Sequence, residues 1–435
     1  RQRHVRVIPE VNLPGHARAA IKSMEKRYER YMEQGNKEAA EEYRLIDPQD
    51  KSEYSSAQSY NDNIVCVCRE SVYAFYQKVI DEIIDMYASA GVPLEYFHVG
   101  GDEVPKGPWT KSPLCDDLIA ESPELQSADQ LHPYFFRKTV EMLNERNIKI
   151  AGWEETALKS ENGSIVVNDE FIDKNIIPYV WNNLWANQDL GYKLANRGYP
   201  VVLCPVTNFY FDLAYDKDPE EAGLYWAGFV NTKNAYEYAP FDVFKTTKRD
   251  NAHYTPIDPL VEFSGMERLT ANGRQNILGL QAQLWSETIK GPKMLEYYLL
   301  PKLFGFAESA WAKERDWETE DDPVKRNQMV NEGYNKLTNT IGQKEMPRLD
   351  KLFGGFNYRI PPPGAIITNG ILFANTSYPG LIIRYTTDGS EPDLNSPLYS
   401  SPVKVNSNQI NLSAFNRAGR GGRISTVEKT NQLKQ

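Results

Sequence analysis

Short apolar runs alternate with segments of helical period along most of this 435-residue chain, and that alternation limits the fold more than any other feature. The strongest helix signal lies at residues 72–87. There Val72, Phe75, Tyr76, Val79, Ile80, Ile83, Ile84 and Tyr87 recur at the i, i+3, i+4, i+7 spacing of one helix face. Gly91-Val92-Pro93 ends it, and residues 94–99 follow as a strand. The order repeats: a helix near 128–145, strands at 148–153 and 177–181, a helix at 188–196, strands at 200–204 and 277–285, and a helix at 292–311. Ahead of these come a short buried strand at residues 5–8 and a polar helix over about 16–34, with loop-rich stretches at 45–65 and 214–272. Strands separated by helices pair in parallel. Six candidate strands allow an open sheet or most of a (β/α)8 TIM-type barrel. Glu10 and His16, Asp102 and Glu103, Trp153 and Glu154, Trp181, Tyr210 and Asp212, Trp285 and Glu287 all fall where a strand stops. A barrel gathers functional groups around that rim, whereas an open sheet focuses them at one crevice. Six loaded ends favour the barrel.

Past residue 345 the texture changes. Arg359-Ile360-Pro361-Pro362-Pro363-Gly364 is a linker signal, and short β-rich runs at 381–388, 402–405 and 409–415 follow, separated by Asp388-Gly389, Pro392 and Pro397. The expected organisation is a (β/α) domain over 1–345, a linker over 346–363, and a small all-β sandwich over 364–435.

Charge and composition remove several classes of function. With 49 basic and 59 acidic side chains the net charge is −10, which disfavours nucleic acid and anionic membrane surfaces. No apolar run is long enough to span a membrane. Five histidines without an H-x-x-x-H or H-E-x-x-H pattern leave no metal-ligand set, and no cofactor motif is present. The four cysteines, Cys66, Cys68, Cys115 and Cys204, are too sparse for a disulfide scaffold and read as buried thiols, with a bridge from Cys66 or Cys68 to Cys115 left open. No signal peptide is visible, but the chain opens RQRHVRVIPE without an initiator methionine and reads as an excised piece, so this says little about compartment. Nothing in the sequence sets an oligomeric state.

The stretch YFHVGGDEVPKGPW, residues 96–109, uses two glycines to deliver the adjacent pair Asp102 and Glu103 directly after an apolar run. Along a strand, residues two apart share a face, so 208–212 would present Tyr210 and Asp212 together, and Trp285-Ser286-Glu287 repeats the pairing with an indole. Aromatic rings stack on the C–H face of a sugar while carboxylates accept its hydroxyl hydrogens. Two such pairs and the Asp–Glu turn point to a carbohydrate site.

These stretches, together with VIPEVNLPGHARA, YRLIDPQDKSEYSSAQ, FHVGGDEV, AGWEE, NFYFDL, QAQLWSE and PKLFGFAESAW, resemble family 20 glycoside hydrolases, the β-N-acetylhexosaminidases, and among them the bacterial chitobiases above all. The tail NYRIPPPGA with IRYTTDGSEP is similar to the β-sandwich that follows the barrel in chitobiases. The resemblance implies an exo-acting enzyme that removes terminal N-acetylhexosamine from oligosaccharides, located in the periplasm, on the outer membrane or outside the cell. It assigns Glu103 as general acid/base, Asp102 as the carboxylate orienting the 2-acetamido N–H, and Tyr210 as the donor to the acetamido oxygen. Trp153, Trp181 and Trp285 would be aromatic walls, Asp212 and Glu287 acceptors for the outer hydroxyls, and His16 a support for the acid/base. Most glycosidases use two carboxylates, but this family is a substrate-assisted exception in which the acetamido oxygen is the nucleophile. Glu103 would then start protonated, its pKa raised by burial and by Asp102.

Family members carry two further strands ahead of the point where this chain begins, supplying an Arg for the non-reducing-end hydroxyls and an Asp partner for the histidine. No segment here matches them, so the expectation is a barrel lacking its first two strands and a chain weakly active or inactive alone. A non-catalytic carbohydrate-binding or degenerate relative is the competing reading, and the presence of Glu103 argues against it. Asp212 and Glu287 suit either C4 configuration, so the sequence does not choose N-acetylglucosamine over N-acetylgalactosamine.

Overall fold

The computed structural model describes residues 3–161, 163–248, 257 and 259–428. They form two compact units, one built from 1–182, 189–203 and 266–279 and the other from 183–188, 204–265 and 280–435. No helix among the described residues is long and apolar enough to cross a membrane.

The first unit centres on a five-stranded sheet of β1 (Tyr96–His98), β2 (Lys149–Trp153), β5 (Ile176–Val180), β6 (Val201–Leu203) and β7 (Ile277–Leu280), in that order. Strands β1, β2, β5 and β6 pair in parallel, with Phe97 opposite Ile150, Ile150 opposite Ile176, and Tyr179 opposite Val202. Strand β5 is buried along its whole length, as a parallel strand covered on both faces must be. The periodic segment around 72–87 forms the helix Glu70–Ser89, which buries Val72, Tyr73, Tyr76 and Ile80. Tyr76 meets Phe97 of β1 edge-on at 6.1 Å and stacks on Phe135 at 6.2 Å. A hairpin of β3 (Leu158–Glu161) with β4 (Ser164–Val167) follows β2 and has no apolar alternation to announce it.

The strand expected at 5–8 is not formed. Val5 and Val7 are 66% and 67% exposed, and pairing starts one step later. His98 N–H donates to the Pro9 carbonyl at 2.9 Å, Val11 N–H to His98 at 3.0 Å, and Leu13 N–H to Val99 at 3.2 Å. Register with β1 selects the residues after Pro9, although those before it are the more apolar.

In the second unit the expected strand at 208–212 is also replaced. The Pro205 carbonyl accepts the Phe209 N–H at 2.9 Å, which pulls Val206–Phe209 into one helical turn. Only Tyr210 keeps a ladder position, bridging to Gln283. The apolar run 277–285 likewise ends as a strand at Leu280 and leaves Trp285 in the following loop. The expected helix 292–311 is two, Pro292–Leu299 and Lys302–Trp311, because Pro301 has no N–H to continue the first. Beyond it lie two three-stranded antiparallel sheets. Strands β10 (Ile382–Thr386), β12 (Gln409–Phe415) and β13 (Gly421–Glu428) make one, and β11 (Val403–Lys404), β9 (Ile371–Asn375) and β8 (Gly364–Thr368) the other. Leu372, Ile383, Val405, Ile410 and Leu412 fill the space between them. A second cluster, with Leu300, Ile341, Met346, Tyr358, Ile360, Tyr378 and Ala414, welds these strands to the helices before them.

Candidate active site

The two glycines after β1 are required by geometry. Gly100 and Gly101 have φ of +72° and +98°, in the region that side chains disfavour. A Cβ on Gly100 would lie 2.0 Å from Asn12 Oδ1, and one on Gly101 2.6 Å from both Phe136 and Thr156. The backbone presses against those neighbours and turns there. Asn12 locks the turn, since its Oδ1 accepts the Gly101 N–H at 2.9 Å and its Nδ2 donates to Asp102 Oδ1 at 2.6 Å. Half-buried His132 has its Nε2 3.1 Å from the Gly101 carbonyl, and desolvation draws its pKa down to about 4, so the neutral ring donates there. His16 and Glu103 each adopt φ of +53°, sparsely populated backbone for residues with a Cβ.

His16 Nε2 stands 3.5 Å from Asp102 Oδ2 and 3.3 Å from Glu103 Oε2. Gln58 Nε2 donates to Glu103 Oε2 at 2.6 Å. Hydrogen bonds to Asp102 and then Glu103 raise the imidazole to about 10 against the opposing effect of burial. For Glu103, burial alone pushes the carboxyl upward, but the bonds from His16 and Gln58 outweigh it and hold the group below its usual range. The expectation of a raised Glu103 is therefore corrected: the neighbour that decides its ionisation is the charged imidazole, whose position no sequence pattern gives. The donor atoms of His16, Asp102 and Glu103 fall within 4.8 Å of one another, as in a metal site. A metal ion there would have to displace the proton that both carboxylates stabilise on the imidazole.

Two carboxylates after β2 tie neighbouring strand ends together. Glu154 accepts the Trp181 N–H at 2.9 Å through Oε2 and the Asn182 N–H at 3.1 Å through Oε1. Glu155 accepts the Glu103 N–H at 3.4 Å. Burial raises Glu154 to about 8 and lifts Glu155 well above the carboxylate range, where the charges of Glu154 and Asp102 push it further. Trp153 is buried, with its indole N–H donating to Glu10 at 3.1 Å. The disulfide joins Cys68 to Cys115, and Cys66 and Cys204 are buried thiols.

The second unit gathers another set. Tyr210 is buried and meets Trp226 and Trp285 edge-on at 6.1 and 6.2 Å. Asp212 is 1% exposed, its Oδ1 accepts the Trp285 N–H at 3.4 Å, and its Oδ2 has no hydrogen-bond partner among the described residues. Burial raises Asp212 to about 6. Glu287 is exposed. So the first unit brings together His16, Asp102 and Glu103, with Trp153 and Trp181 at adjoining strand ends, and the second brings together Tyr210, Asp212 and Trp285. Reading the sequence passed over Asn12, Gln58, His132 and Glu155. Glu155 had a signal in the paired carboxylates of AGWEE, whereas Gln58 lies in the aperiodic stretch 45–65.

Carboxylates and aromatic rings gathered at the ends of parallel strands are the arrangement of an α/β enzyme site. Comparison with known proteins gives the family. Residues 1–314 match the glycosyl hydrolase family 20 catalytic domain, and residues 345–424 match the chitobiase/β-hexosaminidase C-terminal domain. The chain belongs to glycosyl hydrolase family 20, whose catalytic domain is a TIM-type barrel. It is 33% identical, over 98% of its own length and 50% of the relative's, to a β-hexosaminidase of Vibrio vulnificus. It is 32% identical to the N,N'-diacetylchitobiase of Vibrio harveyi, over 89% of this chain and 46% of that one. The crystal structure of an exo-β-N-acetylglucosaminidase from Vibrio harveyi, in complex with N-acetylglucosamine, superposes with a TM-score of 0.55 at 29% identity, covering 82% of this chain and 44% of that one. The chain thus spans about half the length of the relatives it matches.

Proposed function

We propose that this chain carries the catalytic part of an exo-acting β-N-acetylhexosaminidase, which removes terminal non-reducing N-acetylhexosamine from chitooligosaccharides or glycans with retention of configuration. The observation that carries the reading is the adjacent pair Asp102 and Glu103, delivered on two left-handed glycines with His16 between their carboxylates. Asp102 is assigned the acetamido N–H and Tyr210 the acetamido oxygen, two hydrogen bonds that would fix the group for attack on the anomeric carbon. The oxygen closes on the anomeric carbon as the glycosidic bond breaks, Glu103 gives its proton to the departing oxygen, and an oxazolinium ion forms. Ionised Asp102 stabilises the charge developing on that nitrogen. Water, deprotonated by Glu103, then opens the ring on the face the aglycone left. Trp153, Trp181 and Trp285 are assigned the aromatic walls, and Asp212 and Glu287 the acceptors for the outer hydroxyls. The buried, unpartnered Oδ2 of Asp212 supports its assignment, because such an oxygen gains most from a ligand hydroxyl.

The hydrogen bonds and charge of the pair favour an ionised Glu103 beside a protonated His16. Acid function therefore needs the imidazolium proton to cross the 3.3 Å from His16 Nε2 to Glu103 Oε2 when the sugar arrives. No metal or cofactor enters this chemistry. The Cys68–Cys115 bridge favours an oxidising compartment, in keeping with a periplasmic, outer-membrane-associated or secreted enzyme.

Hydrolysis of aryl N-acetylglucosaminide and N-acetylgalactosaminide by the intact protein, wild type and Glu103→Gln, tests the reading and ranks the two sugars. A Gln variant with the full rate removes the acid assignment. A wild-type protein that cleaves neither sugar removes the function.

A further inference from the structure

Asp212 is followed by a loop that returns to it. Ala214 N–H donates to the Leu224 carbonyl at 2.7 Å, and Leu224 N–H donates to the Asp212 carbonyl at 3.1 Å. Lys302, with no exposed surface, grips the same segment from beneath: its Nζ donates to the Phe211 carbonyl at 2.7 Å and to the Leu213 carbonyl at 2.6 Å. That ammonium lies 3.9 Å from the Tyr215 ring centroid, and the Arg359 guanidinium lies 4.5 Å from the same ring. Arg359 belongs to the linker signal Arg359-Ile360-Pro361-Pro362-Pro363, and it forks onto Glu221, with Nε 3.1 Å from both oxygens and Nη2 2.6 Å from Oε2. It also reaches Asp216 at 2.8 Å. Arg423, on β13 of the C-terminal strands, adds a bond to Glu221 Oε2 at 3.1 Å and one to Asp218 at 2.8 Å. The Glu221 side chain is wholly buried. A buried carboxylate of this kind is tolerable only with its partners in place, and removing one strands the other charge.

We propose that Glu221, Arg359, Arg423 and Lys302 form a positioning device through which the C-terminal β-sandwich holds the Asp212 segment in its sugar-binding geometry. This rests on the reading of Asp212 as an acceptor for sugar hydroxyls and extends it, giving the C-terminal domain a part in the site in place of a separate carbohydrate-binding role. None of the four is assigned a contact with the sugar. They act on Asp212 through the loop 213–224 and the carbonyls on either side of it.

The test is a double-mutant cycle in the intact protein, read as the dissociation constant for N-acetylglucosamine with the thermal midpoint followed alongside. Glu221→Gln weakens binding on the order of tenfold, about 1.4 kcal/mol. In an Asp212→Asn background the same change costs little more, because the hydrogen bonds it acts through are already lost. Arg423→Lys keeps most of the affinity and Arg423→Ala does not. The half-buried Arg423 carries the same cycle if Glu221→Gln does not fold. Equal losses in both backgrounds, or unchanged affinity in Glu221→Gln and Arg423→Ala, overturn the proposal. If Asp212→Asn alone leaves affinity unchanged, the assignment of Asp212 falls and this proposal falls with it, whereas additive losses sink only the positioning role.

Discussion

Glu103 stands among donors, with His16 and Gln58 both bonded to its carboxylate, on a backbone turn bent into left-handed geometry. Asp212 is more deeply buried, sits on a backbone held at both flanking carbonyls, and has one oxygen without a partner. The surroundings of the first hold its pKa below the usual range, and those of the second raise it to about 6. A carboxylate with a charged imidazole beside it is equipped to exchange a proton. One with an unsatisfied buried oxygen is equipped to take a neutral hydroxyl. Burial alone does not set a carboxylate's task, since the donors supplied with it decide.

The largest effect should separate the two in kinetics. Glu103→Gln lowers kcat by about 10²- to 10⁴-fold, the range for a lost general acid, with affinity for N-acetylglucosamine nearly unchanged. Asp212→Asn does the reverse, raising KM more than it lowers kcat. Steady-state rates on an aryl N-acetylglucosaminide would break the comparison if both variants lost the same parameter.

Next in size is the turn beneath Glu103. Gly101→Ala sets a Cβ 2.6 Å from Phe136 and Thr156 at a φ of +98°, and should destabilise by roughly 2–3 kcal/mol. Gly35→Ala, at φ +72° with open space around it, isolates the backbone part, about 1 kcal/mol. Equal urea midpoints for the two variants would contradict the close packing behind the turn.

Two pH dependences separate the groups: both contributions fall as pH rises, but in different windows. Asp212 binds its proton more tightly folded than unfolded, so its contribution to stability falls as pH rises from about 4 to about 6 and stays low above that. Asp212→Asn should therefore stabilise the protein by on the order of 1 kcal/mol at pH 8 and by little at pH 3.5, a gain in stability set against a loss in binding. His16, raised to about 10, gives its full stabilisation below about pH 6.5 and loses it as pH climbs toward 10. His16→Asn should lower the thermal midpoint by a few degrees at pH 6 and by less at pH 9.5.

How much of this was readable in the sequence depended on whether the cause was local. The helix Glu70–Ser89 announced itself because one face repeats at helical period, and β2 and β5 formed within a residue or so of their apolar runs. The Asp102–Glu103 turn was visible because only glycine tolerates that backbone. The strands expected at 5–8 and 208–212 failed because pairing is settled by the neighbouring strand and by Pro205, not by apolar content. The ionisation of Glu103 was misread for the same reason: Gln58 arrives from 45 residues away and the imidazole from 87, and no spacing rule joins them. The loop from Asp212 to Glu221, with its arginines from the C-terminal region, lay wholly beyond the reach of local pattern.

In the proposed reaction Glu103 supplies the proton and the substrate's own acetamido group supplies the nucleophile. The direct measurement compares hydrolysis of two aryl glycosides by the intact protein, identical except that one carries a 2-acetamido group and the other a 2-hydroxyl. Turnover of the first and none measurable of the second is expected, with the first lost in Glu103→Gln. Comparable rates on both sugars would contradict it, because a 2-hydroxyl cannot form the oxazolinium ion and the nucleophile would then have to come from the protein.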